Sequence, residues 1–140
     1  MSTEEPSWKD VLLDKGVADA RFSPYVWNSI DCGDGWRPLV EAFFALVEKN
    51  PCMSVAQVKE KYAGLRLYWD HDETKCKHEK WVKDEGMQPA PDRHWDELHG
   101  IVDGICYASE FMCEECGLYG TTRGGGWVKT ICDKCEAEGK

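Results

Sequence analysis

The sequence has no apolar run near the ~20 residues that a helix needs to cross a bilayer. It has no internal repeat and no low-complexity tract. It is poor in basic charge: 17 Lys and Arg face 26 Asp and Glu, for a net charge of -9 and a pI near 4.9. Proteins that grip a phosphate backbone usually carry a basic footprint, so this balance disfavours generic nucleic-acid binding. It suits solubility, a basic partner or mimicry of a polyanion. The opening MSTEEPSWKD is acidic and polar, unlike a secretory leader. With eight cysteines and no such leader, the expected compartment is reducing and cytoplasmic, where thiols stay free or bind metal.

Familiar catalytic patterns are also missing. Gly124-Gly125-Gly126 is not followed by the GK[ST] of a phosphate loop, and neither H-E-x-x-H nor G-x-S-x-G occurs. The P-C-x-x-C half of a zinc deaminase site is absent, because Met112 precedes Cys113. The expectation is a protein that is not an enzyme. If a scattered active site existed, Cys32 with Asp31 and Asp34 would be the place to look.

What is present fits one core. The chain has 140 residues, 42% hydrophobic and 31% charged, close to the commonest domain size. A short helix is expected over Trp8–Leu13, ending near Gly16. In GWRPLVEAFFALVEKNP, residues Trp36, Leu39, Val40, Phe43, Phe44, Leu46 and Val47 fall on one arc at helical period, with charges outside it. Asp34 is the expected cap, Pro38 is tolerated in the first turn, and Asn50-Pro51 stops the helix. QVKEKYAGLRLYWD reads as a hairpin with Ala63-Gly64 as its two-residue loop, pairing Tyr62 with Leu65, Glu60 with Leu67 and Val58 with Trp69. Residues 70–94 read as an exposed insertion or long loop with one helical turn around Trp81. WDELHGIVDGICYASEFM reads as a second amphipathic helix, apolar along Trp95, Leu98, Ile101, Val102, Ile105, Cys106, Ala108 and Met112.

The cysteines are the strongest pattern. Cys113 and Cys116 form one C-x-x-C, Cys132 and Cys135 another, and fifteen residues separate them. Two such turns complete a tetrahedron of thiolates, which is the spacing of a two-knuckle zinc site. Gly117 follows the first knuckle, where positive φ lets backbone N–H groups turn to sulfur. GLYGTT and WVKTI can pair across the Arg123–Gly126 loop. The expectation is one structural zinc ion in a closed four-cysteine ribbon, with metal energy acting as folding energy. Disulfides and a redox dithiol are the disfavoured alternatives. Cys76-Lys77-His78, with His71 or His94, could make a second site, but a solvated loop holding a Cys and some His is the expectation. Cys106 reads as a packed thiol, and Cys32 and Cys52 have no ligand-like neighbours in sequence.

The expected architecture is therefore α+β: two amphipathic helices packed with a β-hairpin over residues 1–112, with the insertion at 70–94, then a zinc ribbon over 113–140. Two surfaces are candidates for function. Asp96, Asp103 and Glu110 recur every seven residues, about 21 Å end to end at helical rise. They make an acidic stripe that can stand in for DNA phosphates before a protein partner. Tyr107 and Phe111 lie beside Gly100 and Gly104 on that helix's polar side. Two glycines there, each costing about 1 kcal/mol in a helix, point to close approach by another segment, with this chain favoured over a partner. The alternative is nucleic-acid binding through Lys59, Lys61, Arg66, Tyr68 and Trp69 on the hairpin and Arg123, Lys129 and Lys134 on the ribbon.

GWRPLVEAF, QVKEKYAGLRLYW and the C-terminal CEECG…GGWVKTICDKC together resemble a group of small, largely uncharacterised proteins of tailed bacteriophages and prophages. The likeness spans roughly residues 33–69 and 95–135. In similar sequences the last ligand can be His, where this chain has Cys135. The resemblance implies a zinc ribbon and a phage context, in which a small acidic protein binds a host nuclease, polymerase or defence complex and inhibits or redirects it. It transfers no catalytic residue.

Overall fold

The computed structural model describes residues 5–18, 21–22 and 29–140, and the chain folds as α+β. Helix α1 (Trp8–Ala18) runs past Gly16, where the sequence suggests a stop; one glycine costs too little to end a helix held by its neighbours. Residues 23–28 of the turn-rich stretch lie outside the described residues. Strand β1 (Ile30–Asp31) leads into a 3-10 turn, Asp34–Trp36, and then α2 (Arg37–Lys49). Asp34 does not cap α2. Trp36 holds the N-cap position without a side-chain bond, and Asp34 Oδ1 instead accepts from Trp8 Nε1 at 2.9 Å. The other end of α2 is closed by Arg21. Its guanidinium donates to the carbonyls of Val47, Asn50 and Met53, where a cation suits the helix dipole.

Strands β2 (Met53–Lys61) and β3 (Gly64–His71) form the expected hairpin in a corrected register. Val58 faces Leu67 and Lys61 faces Gly64, so the loop is Tyr62-Ala63, not Ala63-Gly64. Both loop residues have positive φ, 52° and 66°, which L side chains rarely adopt. Tertiary bonds over-determine this turn: Ala63 N–H donates to Glu60 Oε2 at 2.9 Å and its carbonyl accepts from Thr130 Oγ1 at 2.6 Å. The shift is by an even number of residues, so Val58, Leu65 and Leu67 keep their expected face, while Tyr62 moves into the loop. A bulge between Val55 and Gln57 then lets Val55 and Val58, three apart, both enter the core. Parallel pairing of β1 with β2 completes the order β1-β2-β3.

The insertion is structured. It contains a 3-10 turn, Glu73–Lys75, and a second hairpin of β4 (Glu79–Val82) and β5 (Gly86–Pro89). Trp81 sits in a strand opposite Met87, not in a helical turn. Helix α3 (Pro91–Ala108) starts four residues before Trp95, with Pro91 in its first turn. It ends at Ala108, and a 3-10 turn, Ser109–Phe111, carries Glu110. Helices α2 and α3 touch each other and pack on β2 and β3. Trp36, Val40, Phe43 and Val47 meet Val55, Val58, Leu65, Leu67, Leu98 and Val102 in the core. Ser109, the polar break in the apolar arc of α3, is fully buried. Its hydroxyl accepts from Leu65 N–H at 2.9 Å, which satisfies both groups. Trp95 and Ile101 of that arc are exposed.

The C-terminal segment holds β6 (Thr121–Arg123), β7 (Lys129–Ile131) and the short α4 (Asp133–Ala137). It lies against the 3-10 turn that opens α2. Gly35 N–H donates to the Glu114 carbonyl at 2.7 Å and Trp36 Nε1 to the Met112 carbonyl at 2.7 Å. A Cβ at Gly35 would stand 2.1 Å from the Cys113 carbonyl oxygen, so only glycine permits this docking.

Candidate metal centres

Two groups of side chains bring four sulfur or nitrogen atoms within 4.8 Å of one another: Cys113, Cys116, Cys132 and Cys135, and Cys52, His71, Cys76 and His94. Both can hold a metal ion.

The first group is built by local backbone. Each C-x-x-C bends through a tight turn: Gly117 N–H, at φ 83°, closes the first by donating to the Cys113 carbonyl at 2.9 Å, and in the second Cys135 N–H donates to Cys132 Sγ at 3.4 Å. Antiparallel pairing of β6 with β7 (Thr121 with Ile131, Arg123 with Lys129) brings the two knuckles together. Cys116 Sγ and Cys132 Sγ stand 3.6 Å apart, close to the separation expected of thiolates on a tetrahedral ion at about 2.3 Å. Cys113, Cys132 and Cys135 are buried, and Cys116 is exposed at the rim. Burial alone would push the Cys113 thiol up, yet hydrogen bonds from the backbone of Cys132, Cys116 and Glu115 bring it down to about 6. Burial and the three neighbouring thiols push Cys135 up to about 12. Four thiolates at this spacing cannot all lose their protons unless a cation joins them, and the donor set suits a thiophilic ion.

The second group is assembled from four places in the chain. Cys52 precedes β2, His71 ends β3, Cys76 follows the 3-10 turn of the insertion, and His94 lies in the first turns of α3. Pairing of Met53 with His71 carries Cys52 to the end of β3. His94 Nδ1 stands 3.0 Å from Cys76 Sγ and 3.7 Å from Cys52 Sγ, while its Nε2 meets Asn50 Oδ1 at 3.1 Å. Burial and the neighbouring Cys76 push Cys52 up to about 11. Burial, then the nearby His78 and His71, holds His94 below its ordinary value, so its ring is neutral near pH 7. His78 is not in the group; it stacks on His94 with centroids 4.8 Å apart. Sequence reasoning sets Cys52 aside and treats this stretch as a solvated loop. The available signal is indirect: a hairpin register that joins Cys52 to His71.

The other candidates fall as follows. Asp96 and Asp103 are exposed on α3 and Glu110 on the turn beyond it; His99 Nε2 lies 3.3 Å from Asp103 Oδ2. Tyr107 and Phe111 are exposed and meet edge to face at 5.2 Å. Beyond the backbone of α3 itself, no described atom lies within 4 Å of where a Cβ would stand on Gly100 or Gly104, so the expected approach by another segment of this chain does not occur among the described residues. Lys59, Arg66 and Tyr68 share the outer face of the hairpin, with Lys59 Nζ 5.7 Å from the Tyr68 ring; Lys61 lies over Tyr62. Trp69 does not join them. It turns to the other face and packs near Trp95, with centroids 6.2 Å apart. Arg123 is bound to Asp133 and Glu136, and Lys129 to Glu115. Burial pushes the Cys32 thiol up to about 12, so it is protonated and a poor nucleophile at neutral pH, and Asp34 is held by Trp8.

No protein-family model, curated protein or solved structure matches the chain. Among the described residues, no helix is long and apolar enough to cross a membrane.

Proposed function

We propose that this chain is a non-enzymatic binding protein, organised by Zn2+ at Cys113, Cys116, Cys132 and Cys135, that docks through the outer face of α3 on a protein partner with a basic surface. Four protein thiolates close the shell of the ion and leave no position for water or substrate, so the metal holds shape and the surface does the work. One observation carries the docking face. Tyr107 and Phe111, 63% and 45% exposed, stand beside two glycines over which no described atom lies. Paired exposed aromatics are common anchors of protein interfaces, and bare glycines admit close approach. Asp96, Asp103 and Glu110 rim this patch, and residues 95–112 contain no Lys or Arg. That rim would steer a basic partner and reject an acidic one.

The partner class, a bacterial host protein that docking inhibits or redirects, follows from the resemblance to phage proteins. The test compares the wild-type chain with an Asp96→Lys, Asp103→Lys, Glu110→Lys triple variant and a Tyr107→Ala, Phe111→Ala double variant, each immobilised and offered bacterial lysate. One protein held by the wild type and released by both folded variants supports the proposal. Equal retention by all three removes the face of α3 from it.

A second reading, nucleic-acid binding, is favoured by Lys59, Arg66 and Tyr68 on one exposed face. The ion pairs that engage Arg123 and Lys129 weigh against it. Phosphate contacts would make affinity fall steeply with salt; no binding to single strands at low salt would end it.

A further inference from the structure

We propose that Cys52, His71, Cys76 and His94 form a second zinc site, with two cysteine and two histidine ligands, that clasps the insertion hairpin to the core. It stands independently of the docking face.

Three observations converge on it. First, the four donors lie within 4.8 Å of one another although they come from four elements. Zinc–sulfur bonds of about 2.3 Å and zinc–nitrogen bonds of about 2.0 Å require tetrahedral ligands roughly 3.3–3.8 Å apart, and His94 Nδ1 already stands 3.0 and 3.7 Å from the two sulfurs. Second, His71 Nε2 is the one buried side-chain nitrogen or oxygen among the described residues with no hydrogen-bond partner. A buried polar atom left alone carries an uncompensated desolvation penalty, and a metal bond to that nitrogen removes it. Third, His94 Nε2 faces Asn50 Oδ1 at 3.1 Å. A carbonyl acceptor there fixes the proton on Nε2 and leaves the Nδ1 lone pair aimed at the two sulfurs, as outer partners of metal-bound histidines do. Asn50 is itself anchored by donating to the Leu46 carbonyl at 2.8 Å.

The two histidines therefore bind through different nitrogens, Nε2 of His71 and Nδ1 of His94. Binding forms two zinc–sulfur and two zinc–nitrogen bonds and releases the Cys52 and Cys76 thiol protons to solvent, with nothing oxidised. The shell is again closed, so the role is structural. Its mechanical effect is specific. Cys76 and His94 bracket β4 and β5, while Cys52 and His71 sit where β2 begins and β3 ends, at the edge of the sheet away from the hairpin turn. The ion ties both ends of the insertion to that edge and so fixes the hairpin that displays Trp81 and Met87, 72% and 53% exposed.

The experiment is native mass spectrometry of the full chain, loaded with Zn2+ and freed of excess metal. It covers the wild type and Cys76→Ser, His71→Asn, Cys116→Ser and His78→Asn variants. About two ions are expected on the wild type and on His78→Asn, and about one on each of the other three. Asn50→Ala should keep both sites and weaken one by about 10–100-fold in a competition titration with a chelator. If a variant fails to fold, Co2+ titration of the wild type still decides the matter. Two sets of visible bands are expected, one from an all-sulfur environment and one, at higher energy, from a mixed sulfur and nitrogen environment. One ion per folded wild-type chain that Cys116→Ser abolishes and Cys76→Ser keeps overturns the proposal. So does a Cys52–Cys76 disulfide two hydrogens lighter than the reduced mass, or retention of both ions by Cys76→Ser.

Discussion

The two cysteine-containing clusters differ in how they are made. Cys113, Cys116, Cys132 and Cys135 come from two tight turns at one end of the chain, each placing its own pair of sulfurs. Cys52, His71, Cys76 and His94 come from four elements, and none of them is placed by its sequence neighbours. The first cluster is set by local turns; the second depends on tertiary pairing. Around the C-terminal cluster the buried apolar residues are Cys113, Cys132, Cys135 and Ile131. The other cluster is joined to the main core, of which Cys52 is a buried member and against which Cys76 packs.

That contrast sets the scale of each perturbation. Removing metal with a strong chelator should unfold residues 113–140, because structural zinc in small modules supplies about 10–16 kcal/mol of folding energy. Amide resonances of β6, β7 and α4 should collapse to unfolded shifts while those of α2 and β2 persist in place. Persistence of the β6–β7 ladder without metal would erase the distinction between the clusters. A smaller, local effect is expected at the second cluster. Cys76→Ser should leave the α2–sheet core protected from hydrogen exchange but raise exchange of the β4–β5 amides to the level of a frayed element. Unchanged protection there would show that the hairpin needs no clasp.

Gly35→Ala pries the C-terminal cluster from the core without replacing any ligand side chain. Its Cβ would meet the Cys113 carbonyl at 2.1 Å, and overpacking of that kind costs about 3 kcal/mol. Denaturant unfolding should shift accordingly while metal content stays unchanged. Loss of metal in this variant would mean that docking, not local turn geometry, forms the site. The smallest change is Gly100→Ala on the bare side of α3. It should stabilise the chain by about 1 kcal/mol and raise the melting temperature with both clusters intact. Destabilisation would show a close contact at that face.

Legibility follows the same line. The amphipathic arc of α2 and the two C-x-x-C turns depend on neighbours at fixed spacing, so sequence alone places them. The hairpin loop is displaced from its expected position because Thr130, far along the chain, holds Ala63 in a conformation that its own propensity disfavours. The β4–β5 hairpin reads as a loop in sequence because its exposed strands are short and lack clean alternation. Cys52 and His71 become neighbours only once Met53 is paired with His71, a register that no local pattern fixes.

Both proposed sites require a closed protein shell around the metal. X-ray absorption at the zinc edge of the purified full chain tests this most directly. The expected spectrum is an average shell of about three sulfurs near 2.3 Å and one nitrogen near 2.0 Å, the mean of a four-thiolate site and a site of two thiolates and two imidazoles. A shell that includes a water oxygen, or no bound zinc at all, would contradict it.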